Sequence, residues 1–134
     1  MSESQPTASL PPEEPSDEER VHDADTEHNV RELAAVPSVE VISRAAVMLM
    51  SAAAEKLGLA EEDPDNAPTR DLDEARRLIT ALAGLVTSSV EYLGPHAASV
   101  RDGLQTLQRS FREASTEPDP PGQGPGERYT GPVH

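Results

Sequence analysis

Three stretches of this chain place apolar side chains three or four residues apart, and each is closed off by glycine or proline. That spacing returns side chains to one face of an α-helix, whereas a half-buried strand alternates every second residue. The first stretch carries Val39, Ile42, Ala46, Leu49, Ala53 and Leu57. The second carries Leu72, Ala75, Ile79, Leu82, Val86 and Leu93, with Leu78 and Leu85 beside them. The third carries Ala97, Val100, Leu104, Leu107, Phe111 and Ala114. The alternating steps of three and four are those of a coiled-coil-like seam. An all-α fold follows: a small three-helix unit with helices over about 39–57, 71–93 and 95–114.

Local signals agree with these bounds. Ser38 is a suitable N-cap for the first helix, and Gly58 stands where a left-handed residue closes one. Asp71 and Glu74 have the spacing of a capping box. Gly94-Pro95 breaks the second helix from the third, and Pro95 suits the first position of a new helix. So short a break favours antiparallel neighbours. Aromatic residues number three (Tyr92, Phe111 and Tyr129), too few for a sandwich or barrel of ordinary composition.

The ends differ from the middle. Ten of the thirteen prolines and half of the eight glycines lie outside 38–115. Residues 1–37 carry ten acids against two arginines, and 28–36 have the pattern of two helical turns ended by Pro37. The expected organisation is a disordered acidic extension over 1–37, a helical domain over 38–115 and an extended Pro/Gly-rich tail over 116–134. The net charge of −14 comes from the two ends and from the acidic loop 59–69, while the helical stretches are neutral overall. An acidic balance disfavours a general nucleic-acid binder, which presents a basic face.

No constellation for chemistry is visible. There is no cysteine, so disulfides and the usual zinc-finger sites are excluded, and the chain suits the cytoplasm. His22, His28, His96 and His134 share no helical face, so no metal and no other cofactor is expected. The carboxylate pairs Glu13-Glu14 and Glu61-Glu62 fall in flexible segments, where nothing fixes geometry or shifts a pKa. Ser88-Ser89 lack a partnered base, and Gly122–Gly126 lacks the strand, helix and lysine of a phosphate loop. The chain reads as a non-enzyme. The apolar runs Ala45–Met50 and Ala52–Ala54 fall short of the ~20 residues of a membrane span, so no membrane partner is expected.

Contact with other molecules is the remaining reading. Val41, Val47, Met48 and Met50 lie off the main stripe of the first helix, which is therefore apolar on more than one side. Self-association through that helix is expected, with Ile42, Ala46, Met48, Leu49, Met50 and Ala53 as its candidate residues and small Ala52–Ala54 permitting close approach. The competing reading is that Met48 and Met50 fill an irregular monomer core. On the third helix, Arg101, Gln105, Gln108, Arg109 and Arg112 share a polar face, to which Arg76 and Arg77 add if the helices pack. A solvated helix face is the ordinary explanation; contact with RNA or an acidic partner is the sharper one. Tyr129 is the aromatic anchor of the tail motif 124–133, which suits a groove on a partner or on the chain's own oligomer, or frays. A homo-oligomer is the favoured assembly, a protein partner is next, and RNA is the weaker alternative.

The segments Glu40–Leu59, Asp71–Ile79 and Gly124–Pro132 resemble an uncharacterised bacterial domain-of-unknown-function family, DUF1844. The match looks like a long, actinobacterial-type form with an acidic extension. The resemblance implies a small α-helical cytoplasmic protein and supplies no catalytic residue. Its link to translation genes is genomic context, and it motivates a ribosome- or translation-associated factor as the alternative function.

Overall fold

The computed structural model describes residues 33–134. The acidic extension expected to be disordered, and most of the helical turns expected at 28–36, lie outside the described residues. Residues 33–35 are helical, and the Val36 amide donates to the Leu33 carbonyl.

The described residues after Pro37 hold three main helices and no strand. Helix α1 spans Ser38–Leu57, α2 Leu72–Ser89 and α3 Ala97–Ala114; a single turn, α4, covers Glu127–Thr130. The first helix starts one residue earlier than expected. Ser38 is its first helical residue rather than its cap, and the Pro37 carbonyl accepts from the Glu40 and Val41 amides. Its other end is as expected. Gly58 has φ +75°, and the Gly58 and Leu59 amides donate to the Glu55 and Ala54 carbonyls in a Schellman closure.

The acidic loop that follows is stitched to the helices. Thr69 Oγ1 donates to the Glu55 carbonyl at 2.9 Å, and the Asp71 amide donates to the Lys56 carbonyl at 2.8 Å. Arg70 sets one guanidinium nitrogen 2.6 Å from Asp65 and donates with the other to the Ala114 carbonyl at 3.2 Å. A cation at the C-terminal end of α3 is favoured by the helix dipole.

Asp71 caps α2 by accepting from the Glu74 amide at 3.2 Å. The other half of the capping box is absent: the Asp71 amide is taken by Lys56, and Glu74 pairs with Arg77 at 2.8 Å. Helix α2 ends at Ser89, four residues before the expected bound. Two tight turns, Val90–Tyr92 and Gly94–His96, carry the chain to α3, and Gly94 takes φ +55°. Pro95 thus lies in the turn before the helix rather than in its first position.

The helices bury the predicted stripes together. Ala46, Ala53, Leu57, Ala75, Ile79, Leu82, Val86, Leu93, Val100, Leu104, Leu107 and Phe111 form the core, with Ile42, Leu49, Met50, Leu72, Leu78, Leu85 and Ala97 packed around it. Arg76, near the start of α2, lies 4.9 Å from the ring centre of Phe111, near the end of α3. Val86 and Leu104 meet toward the opposite ends, so α2 and α3 run antiparallel.

Candidate functional site

Three surfaces hold the residues marked by the sequence: the outer face of α1, the polar face of α3 and the C-terminal segment.

On α1 the six candidate self-association residues separate. Ala46 and Ala53 are buried in the core of the single chain, and Ile42, Leu49 and Met50 pack against that core. These five therefore serve the chain's own packing. The reason is helical phase: they lie on the side that turns toward α2 and α3. Met48 alone of the six points outward, with 73% of its surface exposed. Val47 is 52% exposed, and Val41 and Ala45 are exposed nearby. Met50 fills space against Gly103, where a Cβ would come 2.6 Å from its sulfur. The core-filling reading thus holds for Met50 and fails for Met48.

The polar face of α3 also divides. Arg101 and Arg109 are exposed. Arg112 is half-buried and donates to the Asp119 backbone carbonyl at 3.2 Å. Gln108, assigned by its spacing to that face, is buried at 1% exposure. Its amide nitrogen donates to the Pro125 carbonyl at 3.1 Å and lies 3.0 Å from Thr130 Oγ1, while Oε1 has no partner. Arg76 makes an ion pair with Asp119 at 3.0 Å, and Arg77 stays exposed beside Glu74. Arginines that seemed free for an outside partner instead hold the last segment of the chain.

That segment, 116–134, folds back as a strap rather than extending. Asp119 is clasped by Arg76 and Arg112. Gly126 takes φ +75° and approaches α2 so closely that a Cβ would lie 2.5 Å from that of Ala83. The turn of α4 follows, with the Tyr129 and Gly131 amides donating to the Gly126 and Glu127 carbonyls. Glu127 is buried at 4% exposure, and its Oε1 accepts from the Val133 amide at 2.8 Å. The Tyr129 ring lies over Gly84, 3.8 Å from where a Cβ would stand, with the Arg128 guanidinium 4.9 Å from its centre. Tyr129 is therefore seated on its own chain. A cleft of about 310 Å³ opens beside it, floored by Val86, Val90 and Leu104 with Arg101 at its edge.

Sequence reasoning placed Gln108 on the solvated face, and missed Arg70 and the seat formed by Ala83 and Gly84. The signals available were the glycines at 122, 124, 126 and 131 around the one tyrosine of the tail. Among the described residues, no three His, Cys, Asp or Glu side chains cluster as a metal site would require. None of the described helices is long and apolar enough to cross a membrane.

A search of curated proteins found no match, and neither did a search of solved structures. A family described as Domain of unknown function (DUF1844) matches residues 38–113, the three main helices without the strap. With more than half its length inside that match, the chain belongs to the DUF1844 family.

Proposed function

We propose that the chain is a non-enzymatic helical interaction module of the cytoplasm that works as an assembly of its own copies, joined through the outer face of α1. The observation that carries this reading is the exposure of Met48, with Val41 and Ala45 beside it on the same face, on a helix whose other side is already in the core. Single exposed apolar residues are ordinary, but a grouped patch on one helix face marks a contact surface. The lack of cysteine fits a reducing compartment. Sedimentation over a wide concentration range tests the reading. The wild-type chain should gain mass with concentration, and Met48→Glu should keep it at the mass of one chain. A wild-type chain that stays single throughout overturns it.

The alternative is a translation-associated factor that contacts RNA through Arg101 and Arg109, the two arginines of α3 that remain exposed. That reading requires RNA binding that falls steeply with salt and is lost in the double alanine variant.

A further inference from the structure

We infer that the partner of α1 is the α1 of a second copy, laid antiparallel across it, with Arg44 of each copy paired to Glu55 of the other. The inference rests on the self-association reading above and adds to it an orientation.

The argument starts from position on the helix. Three turns of α-helix take about 10.8 residues, so side chains eleven apart return to the same face, about 16 Å along the axis. Arg44 and Glu55 are eleven apart. Both are exposed, and both lie along one edge of the outward strip formed by Val41, Ala45, Met48 and the half-buried Ala52. Within the chain the Arg44 guanidinium approaches Glu40 at 4.0 Å, and the side chains there are more than half exposed. So loose a pairing leaves Arg44 available to a better acceptor.

Orientation follows from symmetry. When two copies of one helix pack antiparallel about a two-fold axis, equivalent edges meet, and the residues on them run in opposite directions. With the axis between Met48 and Ser51, Arg44 of one copy faces Glu55 of the other, twice. The same axis brings the Met48 side chains together at the centre, and the small Ala45 and Ala52 let the backbones approach. A parallel pair turns about an axis along the helices, which sets opposite edges against each other, so the edge that carries Arg44 and Glu55 does not meet its own copy. The charge pattern is self-complementary in one direction only.

Two measurements on the full chain decide it. First, Arg44→Glu and Glu55→Arg are made singly and together, and dimer dissociation is followed by sedimentation. Each single change puts like charges opposite one another at two symmetric places, and should weaken the dimer about tenfold; the double change should restore it. Second, because the chain has no cysteine, a single introduced thiol reports proximity without background. Ser51→Cys, beside the axis, should form a disulfide-linked dimer under mild oxidation. Val41→Cys should not, because antiparallel packing separates the two copies of position 41 by about 25 Å. Cross-linking at position 41, or a double charge swap no better than the singles, overturns the orientation and leaves self-association standing. A wild-type chain that never dimerises overturns both. All four positions are outside the core, and thermal melts that match the wild type confirm that each variant is folded.

Discussion

A missing side chain can matter as much as one that is present, and two glycines of this protein make opposite cases. Gly126 has φ +75° and sits where a Cβ would meet that of Ala83 at 2.5 Å, with the backbone oxygen of Ile79 behind it. Neither neighbour can move without shifting α2. Gly126→Ala should therefore cost about 1–3 kcal/mol, from left-handed backbone strain and overpacking together. Urea unfolding reads the loss, and hydrogen exchange should locate it in residues 118–133. Gly103 is crowded too, but by the sulfur of Met50, the far end of a flexible side chain. It also sits inside α3, where glycine costs about 1 kcal/mol relative to alanine. Gly103→Ala should leave stability within about 1 kcal/mol of wild type in the same urea series. Gln108 adds a polar case. Gln108→Leu removes its two contacts to the strap and leaves the Pro125 carbonyl without that donor, so it should destabilise by about 1–3 kcal/mol.

For the helices, the period of the sequence carries most of the information. The buried faces of α2 and α3 are the expected ones, from Ala75 to Val86 and from Val100 to Phe111. Those positions follow from spacing because the apolar stripe is what the packing uses. The ends were less legible. Helix α2 stops at Ser89 because a tight turn, Val90–Tyr92, takes over before Gly94, and the apolar pattern continues through it to the buried Leu93. A period cannot distinguish a last helical turn from a tighter one. Capping was half readable: Asp71 caps as its spacing suggests, but Glu74 turns to Arg77. Asp71→Ala should cost about 1 kcal/mol, seen as a lower urea midpoint at unchanged slope. The strap was the least legible element. Its fit depends on Gly126, Ala83 and Gly84, which leave no mark in a hydrophobic pattern, and on Gln108, a polar residue that the same pattern assigns to solvent.

At the scale of the whole molecule, the division of labour on α1 separates folding from assembly. Ala46, Ala53 and Leu57 serve the core, so Leu57→Ala should cost about 2–5 kcal/mol of stability. Met48, on the other side, contributes little to the fold of the single chain. Met48→Glu should leave the melting temperature of the dilute protein within about 2 °C of wild type while abolishing any gain in mass with concentration. A variant that both melts early and loses mass would place Met48 in the core after all. The sequence marks α1 as apolar on more than one side, and of the six residues it names there Met48 alone is exposed. Helical phase separates Met48 from Met50: the two point about 200° apart, and Met50 is the one beside the stripe of Ala46, Leu49 and Ala53, where it packs against Gly103.

The strap has one more consequence, which concerns time rather than energy. A ribosome makes a protein from its N-terminal end, so Ala83, Gly84 and Gln108 are all in place before Gly126 is joined to the chain. Between those moments the chain lacks the segment that completes it, and the amide of Gln108 and the guanidinium groups of Arg76 and Arg112 lack the partners they find at Pro125 and Asp119. The strap is made after the helices it closes, so the seat at Ala83 and Gly84 is filled only once Gly126 has followed Gln108 off the ribosome.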